Sequence, residues 1–218
     1  MNSMIQLLVL AGIAIFLILR LRSVLGTREG FEKPPMSVAD TRDDLRREFE
    51  VIEGGPDRDI TDHVEDGTPE AKSLAAMKMA EDGFSVSEFL RGARGAYEMI
   101  LMGFESGELG DLEGLLSDEV YETFEQVVAQ RKSQGLKIEA EFVGVRETSL
   151  AGVEFDRSSQ EAEISVRFVG ELTSVVRNAD GEIIEGNPNE IKRQKDTWTF
   201  SRTMGSDTPN WILVATGD

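Results

Sequence analysis

At Leu136 the hydrophobic period of the chain changes from near 3.6 to near 2, so its folded part must join helices to strands. Upstream, Ser85 stands three residues before Glu88, the spacing of a capping box. Phe84 and Phe89 have the spacing of a hydrophobic staple around it. Val86, Phe89, Leu90, Ala93, Ala96, Tyr97, Ile100, Leu101 and Phe104 then recur at three- and four-residue intervals, and Gly107 is a natural stop. A short DLEGLL segment starts at Asp111. Ser117 offers a second N-cap, and Tyr121, Phe124, Val127 and Val128 mark a second amphipathic face that ends by Gly135. Gly92, Ala93, Gly95 and Ala96 leave the first helix thin on one side, which suits close packing against another element.

Beyond Leu136, Ile138, Ala140, Phe142 and Gly144 alternate with Glu139, Glu141 and Val143. From Glu161 to Val176 the alternation continues, with Ala162, Ile164, Val166, Phe168, Leu172 and Val176 expected on one face. Asp180-Gly181 is a hairpin signal. The next strand is expected near Ile191 to Thr203, with Trp198 and Phe200 together. After a turn over Gly205 to Pro209, Trp211, Leu213 and Ala215 alternate in the last strand.

Helices followed by hairpin-joined strands predict an α+β domain over 84–218, with helices on one face of a twisted antiparallel sheet. Such layers often leave an apolar concavity between them. The aromatics placed to line or fill it are Tyr97, Phe104, Phe124, Phe142, Phe168, Trp198, Phe200 and Trp211. As pocket lining they form a binding site; as filling they are the core.

The N-terminus is of another kind. Nineteen residues precede the first charged side chain, Arg20. As a helix they span roughly 28 Å, close to the hydrocarbon thickness of a bilayer. Residues 1–22 therefore read as a transmembrane anchor. Ile5, Leu7, Leu8, Leu10, Ile13, Ile15, Phe16, Leu17, Ile18 and Leu19 would meet lipid, while Arg20 and Arg22 snorkel to the headgroups. No basic side chain precedes the run, and no small-residue cleavage site closes it, unlike a secretory signal. Arg20, Arg22, Arg28 and Lys33 all follow it, so the positive-inside rule places the C-terminal bulk in the cytoplasm of a bacterium with a single-pass inner-membrane anchor.

Residues 23–83 read as an acidic, mostly disordered linker. From Asp40 to Glu70 there are twelve acidic and four basic residues, too much like charge for the scattered apolar residues to offset ordering. It serves as a self-repelling spacer or as a docking strip for a basic partner. Near 69–81 a helix is expected behind Pro69, with Leu74 and Met77 on its apolar face and Ala75 and Met79 to one side.

Composition narrows the chemistry. A net charge of −18 argues against binding nucleic acid. With no cysteine and a single histidine, His63, thiolate sites, disulfides and a histidine-based metal site or triad are excluded. No phosphate-binding loop or nucleophile elbow appears, so no catalytic residue, metal ligand or cofactor is assigned.

The stretch from Phe84 to Val128 resembles the Tim-forty-four-like domain family. The resemblance rests on Phe89, Leu90, Gly92, Ala93, Ala96, Tyr97 and Glu98, followed by the leucine turn of Leu112, Leu115 and Leu116. It extends through the strands to Asp218. Within the family, the N-terminal helix and the RSVLGTREGFEKPP that follows are most like the alphaproteobacterial TimA-type membrane adaptors. The resemblance implies a fold akin to nuclear transport factor two, a deep apolar pocket and membrane association, and no catalytic residues.

Two functions are expected from these observations. One is a membrane-anchored adaptor or scaffold that binds proteins or lipid at the inner face of the membrane and assists membrane-protein biogenesis or translocation. It is not an enzyme. Its partners are membrane lipids, through the N-terminal helix, and unidentified proteins. The other is a small-molecule or lipid-binding pocket, with an enzymatic form included.

Overall fold

The computed structural model describes residues 56–217. The anchor over 1–22 and the linker up to residue 55 lie outside the described residues. The elements run α1 (Arg58–Thr61), α2 (Pro69–Ala80), α3 (Val86–Ser106), a 3-10 turn (Gly110–Leu112), α4 (Asp118–Ser133), β1 (Lys137–Asp156), β2 (Glu161–Arg177), β3 (Ile183–Thr203) and β4 (Ile212–Gly217). The strands form one antiparallel meander in the order β1-β2-β3-β4, and with the helices they make the expected α+β architecture.

The helices begin and end where local chemistry directs. Ser85 accepts from the Glu88 amide at 3.3 Å and Ser117 from the Val120 amide at 3.4 Å. Gly107 closes α3 at φ 76°, a left-handed conformation that costs glycine little. Thr68, not marked from sequence, caps α2 by accepting from the Ala71 amide, with Pro69 behind it.

The packed unit reaches further back than residue 84. Ile60 of α1 and Ala71, Leu74 and Met77 of α2 are buried in the same core as α3 and β2. The linker assignment to 23–83 therefore ends too late. Net charge averaged over the segment hid four apolar residues that share a core, and it hid Asp59, which holds α3. That carboxylate accepts from the Ser85 hydroxyl at 3.1 Å, the Val86 amide at 2.8 Å and the Ser87 amide at 3.0 Å. Lys78 bridges Asp59 and Asp57 at 2.8 and 2.7 Å. On α2, Leu74 and Met77 form the buried face as expected; Ala76 joins them, while Ala75 and Met79, placed to one side, are exposed.

The strands are longer than their alternation suggested, because bulges reset the period. Ile138, Ala140 and Phe142 face inward as expected, but a shift between Phe142 and Gly144 makes Val145 the next buried residue. On β2 the alternation runs from Ala162 to Leu172. Beyond it Val175 is buried and Val176 only half-buried; opposite this stretch β3 carries extra residues, because Leu172 pairs with Lys192 while Ser174 pairs with Asn187. β3 begins at Ile183, eight residues before the expected Ile191, and pairs along both halves of β2. The outer edge of β4 is covered. Ser117 donates its amide to Leu213 O at 2.9 Å and Leu213 donates to Leu115 O at 2.8 Å, so the leucine turn adds a short parallel rung to the sheet.

Candidate binding groove

The eight expected aromatics separate into three groups. Tyr97, Phe168, Trp198 and Phe200 are buried between α3 and the sheet. The Tyr97 ring stacks on Phe168 at 4.4 Å between centroids and lies 4.7 Å from Trp198. Phe142 approaches Tyr97 from β1 at 6.3 Å and stays half-buried. These side chains fill the middle of the space between the layers, and an open cleft of about 440 Å³ remains between Met102 and Ser106 of α3 and Ile138, Ala140, Thr173 and Val175 of the sheet. Phe104 and Phe124 form a separate pair at 4.5 Å that joins α3 to α4, with the Arg131 guanidinium 4.4 Å above Phe104. Trp211 stands on a surface groove that Phe200 reaches from behind.

The filled layer holds one buried acidic side chain among the described residues, Asp196 of β3, 9% exposed. It accepts from the Tyr97 hydroxyl at 2.5 Å and from Gln194 Nε2 at 3.0 Å. Burial first, and then the hydrogen bond and charge of Asp196, push the Tyr97 phenol far above its ordinary range, so it stays a neutral donor. The site went unnoticed in the sequence, yet a signal was there: Asp196 shares the period-2 face of Trp198 and Phe200. Gly170 makes room for the phenol, because a Cβ there would lie 2.6 Å from the Tyr97 oxygen.

The groove of about 580 Å³ lies across α3 from Trp211. One wall is aromatic: Trp211 packs on Phe89 at 4.7 Å and on Phe84 at 6.1 Å, and Phe89 meets Phe200 at 6.1 Å behind them. Its floor is α3 itself. Gly92 and Gly95 present bare backbone, and a Cβ at either position would meet nothing within 4 Å. Met99, 54% exposed, continues the same stripe one turn further on. The small residues expected to seat a neighbouring helix are therefore partly vacant: Ala93 is packed, while Gly92 and Gly95 face open space. Phe84 and Phe89, read from sequence as helix-entry residues, also build this wall.

The closed end of the groove is electrostatic. Arg202 Nη2 donates to Glu81 at 2.9 and 2.7 Å, and the Gly205 amide adds a bond at 2.9 Å. Burial raises the Glu81 carboxyl, but the Gly205 amide and Arg202 outweigh it and hold the group below its usual range. Arg202 also reaches the Thr208 carbonyl at 3.2 Å and lies 6.0 Å from the Trp211 ring, which fixes the loop that carries the tryptophan. Around the rim, Glu88 and Arg91 pair at 2.8 Å in solvent. Among the described residues no group of three or more histidine or acidic side chains is placed to hold a metal ion. None of their helices is long and apolar enough to cross a membrane.

Residues 70–218 match the family model described as "Tim44-like domain". The human mitochondrial import inner membrane translocase subunit TIM44 is 25% identical over 167 residues, covering 72% of this chain and 36% of that protein. The rat protein of the same description is 26% identical over 117 residues, covering 53% of this chain and 25% of its own length. This chain thus spans about a third or less of the relatives it matches. Among solved structures, the intermembrane space region of the chloroplast protein ARC6 is similar at a TM-score of 0.40 and 10% identity, covering 59% of this chain and 94% of that one.

Proposed function

The chain belongs to the Tim44-like domain family, and from that premise we propose that it is a membrane-anchored adaptor whose domain binds protein partners through the α3 groove. The observation that carries this reading is the vacant floor at Gly92 and Gly95, on the helix that bears the family's motif, beside a wall of three aromatics. Bare helix backbone next to aromatic side chains is the surface an incoming helix or extended segment packs against, because both partners lose apolar area to water at short range. Two of the relatives are named as subunits of a membrane translocase, which supports a role in translocation or membrane-protein biogenesis.

The nineteen uncharged residues before Arg20, with their following basic flank, support a single-pass anchor in a bacterial inner membrane and a cytoplasmic domain; the TimA type is what the resemblance of the N-terminal segment implies. Membrane lipid is then a partner of the first helix, and the protein partner is a membrane or translocating polypeptide. No catalytic role is proposed. The small-molecule reading is weaker: Tyr97, Phe168 and Phe200 fill the middle of the interlayer space, and the cleft of about 440 Å³ left between Met102 and Ser106 of α3 and Ile138, Ala140 and Val175 of the sheet is open to solvent.

The experiment is crosslinking in intact cells with the full chain, followed by mass spectrometry, for wild type and for Gly92→Leu with Gly95→Leu. The expected result is a set of membrane-fraction partners that the double variant loses while it still folds. Recovery of no protein above background would end the adaptor reading. An unchanged partner set in the double variant would move the binding surface elsewhere.

A further inference from the structure

We draw no further inference here: the strongest candidate, the apolar groove between the Gly92–Gly95–Met99 face of α3 and the wall of Phe84, Phe89 and Trp211, belongs to the site already described, and nothing in the structure shows what covers it.

Discussion

Tyr97 donates a 2.5 Å hydrogen bond to Asp196, ninety-nine residues further on, and this bond ties the middle of α3 to β3 inside an aromatic layer. Asp196 is a buried carboxylate, so its partners matter more than its attraction for any one of them. Tyr97→Phe keeps the ring stack on Phe168 and removes one donor to that carboxylate. The variant is expected to lose about 1–3 kcal/mol of stability. Urea unfolding of the full chain in mild detergent, followed by the emission of Trp198 and Trp211, reads this directly. A loss below about 0.5 kcal/mol would show that Asp196 does not depend on the phenol.

Two glycine substitutions should behave in opposite ways. Gly170→Ala drives a Cβ to within 2.6 Å of the Tyr97 oxygen and 3.0 Å of its ring, in a core with no room to yield. A loss of about 1–3 kcal/mol is expected. Gly92→Ala places a Cβ in open space on a helix and should gain about 0.5–1 kcal/mol from propensity alone. The same unfolding assay compares them, and a destabilised Gly92→Ala would mean that the groove floor is already occupied.

The clasp at Asp59 is expected to be sensitive to acid. Burial raises this carboxyl, but hydrogen bonds from Lys78, Ser87 and Val86 prevail and hold it far below the ordinary carboxylate range. A group lowered in the folded state contributes fully above its unfolded value, near 4, and loses that contribution as pH falls through its folded value. Asp59→Asn leaves Lys78 paired with Asp57 alone and weakens the cap on α3, at a cost of about 1–2 kcal/mol at neutral pH. The gap between wild type and variant should narrow as pH is lowered below about 4. A gap that stays constant down to the acid limit of the fold would contradict this account.

Ion pairs in the protein should differ according to their burial. The Arg202 side chain is only 9% exposed in its pair with Glu81, whereas Arg91 and Glu88 are 72% and 67% exposed. Arg202→Ala leaves a part-buried carboxylate with only the Gly205 amide, and a loss of about 3 kcal/mol is expected. Arg91→Ala should change stability by less than about 0.5 kcal/mol. Because Arg202 also holds the loop carrying Trp211, its loss should shift the fluorescence of that tryptophan, which Arg91→Ala would leave unchanged.

What sequence reasoning recovered was local. Ser85, Gly107 and Ser117 act through neighbours three or four residues away, and each bounds its helix as its spacing implied. The change to period 2 gave the sheet and its inward residues up to the first bulge. Beyond that point, one inserted residue reverses the face of every residue that follows. Val145 is therefore the next buried residue of β1, and no local pattern marks where such an insertion falls. Partners across the chain were hidden altogether. The amides at the start of α3 are satisfied by Asp59, twenty-seven and twenty-eight residues earlier, which composition had assigned to a solvated linker. Of the eight aromatics singled out in the sequence, Tyr97, Phe168, Trp198 and Phe200 are buried between the layers, whereas Phe104 with Phe124 and Trp211 lie elsewhere. Whether the buried four line or fill the space depends on Gly170, whose missing side chain lets the Tyr97 phenol enter the sheet.

The rung between Leu115–Ser117 and Leu213 also sets an order of events during synthesis. Leu213 is fully buried, and its amide and carbonyl complete the turn that precedes α4. On a ribosome, α3 and α4 emerge long before this strand does and must wait for it, with apolar surface open to water or to other proteins. Pairing between residues about a hundred positions apart is also slow to form. Until Leu213 arrives, the sheet lacks its last strand and the turn before α4 lacks its partner. The interval before that closure is when the apolar faces of α3 and α4 are most exposed to the wrong partner.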